Sequence, residues 1–189
     1  MKKKGFVVLA VAAVLTLGTA TMSAWAAEGW AQSGNTWSYY DSNGYKVTNV
    51  WKKGADNLWR YLNGNGEMAV NTWVDNTYYM DSNGILVTDK WMKFQESGSS
   101  EYKWYYFGSS GKAIMDNWSK INNKWYYFNE DGTMKTGWFI SNNLKYYLKE
   151  DGSMSTGWHT IDGKDYYFNK SGALRSGWLG LGKDFLYLD

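Results

Sequence analysis

From about residue 29 onward, apolar and polar positions alternate in runs of four or five residues. Clusters of Gly, Asn, Asp and Ser separate the runs. Period-two alternation between turn clusters predicts short strands rather than helices. The stretch NNKWYYFNEDG (122–132) is typical. Asn122-Asn123 and, further on, Asp162-Gly163 have the chemistry of two-residue hairpin loops. The glycine of EDG or KSG supplies the positive φ needed for the connection onward. The chain has no proline, as ladder strands that need their N–H groups require.

The pattern repeats. Trp118, Trp138, Trp158 and Trp178 recur every 20 residues, and the series continues upstream, less regularly, through Trp91, Trp73, Trp51 and Trp30. After each comes a second strand, in the versions WSYY, WRYL, TYYM, WYYF, WYYF, KYYL, DYYF and FLYL. Each unit reads as a hairpin with a leading Trp strand and an aromatic second strand. A lone hairpin is marginal in water, so the units must stack on one another. The expected fold is all-β, a solenoid of about eight stacked hairpins. It fills residues 27–189, with the last repeat truncated at Asp189.

Alternation sorts the four slots of the second strand, since slots one and three share one face and slots two and four the other. Slot four is always large and apolar (Tyr40, Leu62, Met80, Phe107, Phe128, Leu148, Phe168, Leu188), the mark of a core position. Slot two is mostly Tyr but accepts Ser38, Arg60 and Leu186, which predicts partial burial. Slot three is Tyr in every copy, so either its hydroxyl bonds across the stack or a ligand selects the ring. Slot one is Trp37, Trp59, Trp104 or Trp125 in four copies and Thr77, Lys145, Asp165 or Phe185 in the others. A position that takes Lys and Asp is not core. Exposed tryptophan beside an unvarying tyrosine suggests a site kept in some repeats and lost in others.

The first 26 residues read differently. Lys2–Lys4, the apolar run FVVLAVAAVLTLG and Ala24-Trp25-Ala26 have the form of a cleaved secretory signal peptide. The apolar run is too short to span a bilayer, so the protein is expected to be secreted and not membrane-embedded. With no Cys and no Pro there is neither a lipid-attachment cysteine nor a proline-containing sorting motif. Retention at the surface would then be non-covalent. Without the three leader lysines the chain is close to neutral, which argues against nucleic acid as a partner. An enzyme is not expected. The single histidine, His159, and the pairs Glu130-Asp131 and Glu150-Asp151 read as hairpin and turn residues, and no metal cluster or cofactor motif appears.

The stretch NWSKINNKWYYFNEDGTMKTGW (117–138) resembles the choline-binding, or cell-wall-binding, repeat of Gram-positive surface proteins. The match is close over 117–178 and looser over 29–116. The resemblance implies a left-handed β-solenoid. It also implies cages, of two Trp from one repeat and a Tyr from the next, for the choline groups of teichoic acids. Carried onto this chain, the cages are Trp118, Trp125 and Tyr147; Trp91, Trp104 and Tyr127; Trp51, Trp59 and Tyr79; and Trp30, Trp37 and Tyr61, with Met134 where the family places a methionine. Lys145 puts a cation where a cationic ligand would go. The rival is carbohydrate, because GWHTIDGKDYYFNKSGALRSGW (157–178) equally resembles glucan-binding repeats and the receptor-binding repeats of clostridial toxins.

Overall fold

Eight hairpins follow one another along the chain, each a separate two-stranded antiparallel sheet. The computed structural model describes residues 28–96, 98–181 and 184–188, without the side chains of Leu181, Asp184 and Phe185. The expected signal peptide lies outside the described residues. No helix occurs among them.

Two compact units divide the chain. The first, up to Val87, holds β1 (Gly29–Ser33) with β2 (Thr36–Tyr40), β3 (Val50–Lys53) with β4 (Trp59–Leu62), and β5 (Thr72–Val74) with β6 (Tyr78–Met80). The second, from Thr88, holds β7 (Lys90–Gln95) with β8 (Tyr102–Phe107), β9 (Asn117–Ile121) with β10 (Lys124–Phe128), and β11 (Gly137–Ser141) with β12 (Leu144–Leu148). Then come β13 (Gly157–Ile161) with β14 (Lys164–Phe168) and β15 (Gly177–Leu181) with β16 (Asp184–Leu188).

The loops obey their residue chemistry. Asn122 and Asn123 have φ of 47° and 64°, and Asp162 and Gly163 have 51° and 75°, the paired positive values of a type I′ turn. The segment FQESGSSEY does not break the repeat. It lengthens β7 and β8 and carries the extra loop at their tip.

After the second strand of each of the first seven hairpins the chain turns back on itself. In all but the turn after Phe107 an Asx side chain is the clamp: the Asn63 amide oxygen accepts the Asn65 and Glu67 N–H groups, and Asp151 accepts both the N–H and the hydroxyl of Ser153. The Ser153 hydroxyl bond holds the Asp151 carboxyl down to about 2. The turn ends in a one-residue bridge to slot four, as in Phe128 with Met134 or Leu148 with Met154. Met134 then reaches over the glycine of the next turn, where a Cβ on Gly152 would collide with the methionine side chain.

Slot four is the core. Leu62, Met80, Phe107, Phe128, Leu148 and Phe168 have no exposed surface, while Tyr40, in the first repeat, is half-buried. Phe128 is packed with Ile121 and Tyr126 and covered by Trp91, Ile114 and Met134. Phe128→Ala should therefore cost about 3–5 kcal/mol, read as a lowered denaturation midpoint in urea. Ile140→Ala, on a side chain 68% exposed, should stay within about 0.5 kcal/mol of wild type.

Candidate functional site

Register decides what each ring faces. The antiparallel ladder sets every leading Trp opposite the slot-three Tyr of its own hairpin, as Trp118 opposite Tyr127 and Trp138 opposite Tyr147. These ring pairs lie 5.0–5.8 Å apart in edge or tilted contact in all eight hairpins. Across to the next hairpin, the leading Trp meets slot two instead. Trp118 touches Tyr146 at 5.0 Å, Trp91 touches Tyr126 at 4.9 Å, and Trp51 touches Tyr78 at 5.1 Å. Slot two, which the sequence suggested only as partial packing, thus carries the stacking contact between hairpins.

One open groove, of about 550 Å³, lies in the first unit. Trp37, Tyr61 and Trp73 supply its rings, Met68 and Val74 its aliphatic wall, and Glu67 and Asp75 its charge. No Lys or Arg lines it among the described residues. Trp37 and Tyr61 come together as the sequence suggested, but the second tryptophan is Trp73 rather than Trp30. Trp30 packs on Tyr39, donates its indole N–H to the Lys53 carbonyl at 3.3 Å, and has the Arg60 guanidinium 5.9 Å from its ring. Asp56 holds that guanidinium at 2.7 Å, and the bond keeps the Asp56 carboxyl at about 2.

Two backbone bonds bring the groove residues together. Met68 donates its N–H to the Trp37 carbonyl at 2.7 Å, and Ala69 donates to the Tyr61 carbonyl at 2.8 Å. The same bonds recur in the second unit, from Met134 to Trp104 and Lys135 to Tyr127, then from Met154 to Trp125 and Ser155 to Tyr147. The corresponding sets are Trp104, Tyr127 and Trp138 with Met134, and Trp125, Tyr147 and Trp158 with Met154. Trp91 and Trp118, like Trp138, also pack against slot two of the next hairpin. Trp51 lies on Tyr61 and Tyr78; Trp59 is 44% exposed under the Lys53 ammonium; Tyr79 lies on Trp73.

The hydroxyl of slot three has a partner in at least two hairpins. Tyr127 donates to Asp116 at 2.7 Å and Tyr39 to Glu28 at 3.1 Å. The Asp116 bond, then burial, raises the Tyr127 phenol above its ordinary value. Burial first, then Asp81 and Asp89, raises Tyr79 and Tyr106. His159 lies edge-on to Phe168. Among the described residues there is no cluster of three metal-ligating side chains and no helix long and apolar enough to cross a membrane.

Comparison with known proteins gives this geometry a context. A family model described as a choline-binding repeat matches residues 27–73 and 116–156. A second, described as a putative cell wall binding repeat, matches 75–86, 100–113 and 156–174. The solved structure of CbpJ from Streptococcus pneumoniae is 32% identical, with a TM-score of 0.68 over 81% of this chain and 54% of that one. Choline binding protein F from the same species is 30% identical, with a TM-score of 0.63 over 82% of this chain and 54% of that one. Glucosyltransferase-S of Streptococcus mutans is 36% identical over 109 residues, 58% of this chain. The chain spans about half the length of the two solved structures and 6% of the glucosyltransferase.

The raised Tyr127 phenol has a consequence for alkaline stability. A phenol whose pKa is higher folded than unfolded stabilises the fold fully below the ordinary value of 10.0 and less as pH rises through the folded value. Stability should therefore fall above pH 10, and Tyr127→Phe should show a smaller fall; thermal melts across that range measure both.

Proposed function

This chain belongs to the choline-binding, or cell-wall-binding, repeat family, and we propose that its aromatic grooves cage the choline groups of cell-wall teichoic acids. The observation that carries the reading is the groove of Trp37, Tyr61 and Trp73, with Glu67 and Asp75 and no basic side chain in its wall. A quaternary ammonium cannot donate a conventional hydrogen bond, so ring faces, methyl packing and nearby carboxylates must recognise it. Each cation–π contact contributes about 0.5–2 kcal/mol. After the cost of association, a three-ring cage nets about 4 kcal/mol, near millimolar affinity.

The set Trp125, Tyr147 and Trp158 is the second candidate. Trp125 and Trp158 are 42% and 44% exposed, and Asp165 places a carboxylate in the first slot of the hairpin that carries Trp158. Asp165 is fixed by the Thr160 hydroxyl at 2.6 Å. An anion two positions along the strand from the Trp158–Tyr167 pair favours a cationic ligand. Several weak sites on one chain facing a repetitive polymer gain about 10²–10⁴-fold in avidity. The protein is thus read as a non-catalytic module held non-covalently on the cell surface after secretion.

Carbohydrate is the second reading, favoured by the match to a glucosyltransferase. The two separate on a tertiary-amine resin eluted with free choline and run in parallel with dextran. Retention on the resin with release by free choline supports the choline reading; binding only to dextran overturns it. Trp37→Ala should weaken choline binding by roughly 3- to 30-fold, the range of one ring contact, with thermal stability little changed.

A further inference from the structure

The hairpins that close these sites differ at two positions. In the hairpin of Trp73, beside the open groove, the residue after the leading Trp is Val74 and slot one is Thr77. In the hairpin of Trp138, the same positions hold Phe139 and Lys145. Phe139 lies on Tyr127 with ring centroids 4.1 Å apart and planes 37° apart, so it covers the ring equivalent to Tyr61 in the groove. The Lys145 ammonium sits 4.2 Å from the centroid of Trp138, the ring equivalent to Trp73. The third ring, Trp104, stays 41% exposed, with the Lys93 ammonium 5.8 Å from its centroid and 4.8 Å from that of Tyr102. Trp37, in the open groove, has the uncharged Gln32 as its cross-strand partner in place of lysine.

We propose that Phe139 and Lys145 are a built-in occupant of the Trp104–Tyr127–Trp138 site, the chain's own ammonium standing where a ligand's would sit. The inference rests on the reading of these sites as cation cages. A tethered ammonium acts at an effective concentration in the millimolar range for a short flexible link. A ligand of millimolar affinity has little advantage over it, and Phe139 takes up the space that the ligand's methyl groups would fill. Lys145 makes no salt bridge among the described residues, so no carboxylate draws it off the ring. At the next site the same slot holds Asp165, of opposite charge. Stacked repeats of one sequence pattern thus differ in function: one set open, one set beside a carboxylate, one set self-filled.

Two measurements test this on the secreted chain. Without any ligand, the ε-methylene protons of Lys145 should be shifted upfield in the NMR spectrum by the Trp138 ring current. An unshifted resonance overturns the proposal whatever the ligand proves to be. With choline as the probe, equilibrium dialysis should find about one more choline bound per chain for the double variant Phe139→Val/Lys145→Thr than for wild type. Those substitutions install the residues found beside the open groove. A folded double variant with unchanged stoichiometry, against a wild type that does bind choline, overturns the proposal. Failure of wild type itself to bind choline counts against the cage reading, and the ligand-free resonance still decides the position of Lys145. If the double variant fails to fold, Lys145→Thr alone, at an exposed slot, is held to the same gain.

Discussion

The structure depends on one backbone bond that recurs five times among the described residues: the linker after a hairpin donates an N–H to the slot-one carbonyl of the preceding hairpin. It runs from Met68 to Trp37 and Leu86 to Trp59 in the first unit, and from Met134 to Trp104, Met154 to Trp125 and Leu174 to Lys145 in the second. The donor and acceptor are both main chain, so the bond forms whether slot one carries Trp or Lys. It joins hairpins that are each marginal alone. A buried backbone group left unpaired is costly, so the linkage holds the repeat spacing even as side chains drift. Slot one is therefore free to vary without changing the fold, and under the proposed function that variation alters the site.

The two kinds of tryptophan divide accordingly. A leading Trp sits between the Tyr of its own hairpin and, in the middle repeats, the slot-two Tyr of the next, in edge and tilted contacts that hold successive hairpins in register. A slot-one Trp such as Trp104 or Trp125 is about two-fifths exposed and contributes little to that register. Loss of a leading Trp confounds binding with folding; loss of a slot-one Trp affects mainly the site. Where Arg60 replaces the slot-two Tyr, the stacking is kept by a guanidinium over Trp30, fixed from behind by Asp56. Its cationic head and long aliphatic stem take the place of an aromatic ring.

The hairpins, their turns and the core were legible in the chain because each rests on short-range rules. Asn122-Asn123 forced a type I′ turn, and the period of two put Phe128 in the core. The same turn also sets Trp118 opposite Tyr127, a register that can be counted from the loop alone. That count already places each slot-three Tyr on its own leading Trp, with slot two left to face the neighbouring hairpin. What could not be counted was the path of the linker. The arrival of Trp73, rather than Trp30, beside Trp37 and Tyr61 depends on the turn after β4 and its Asn63 clamp. That is a rotation between repeats, and no pattern within one repeat encodes it. The charge of the sites was hidden for the same reason, since Glu67 reads as a turn residue until the groove brings it beside the rings.

A multivalent binder does not need every repeat to bind. Each added weak site raises avidity only if the polymer can reach it in the same geometry, and a site that binds out of register adds nothing. Each repeat must still pack, and an empty three-ring cage leaves apolar ring surface in water, which is unfavourable at about 25 cal/mol per Å². Filling an unused cage with the chain's own lysine and phenylalanine covers part of that surface while leaving the backbone linkage intact. Lys145 is suited to this, since its ammonium meets the Trp138 ring face at 4.2 Å. Self-filling is thus a way for a repeat array to keep its length, which the stacking requires, while limiting the number and spacing of the sites it presents.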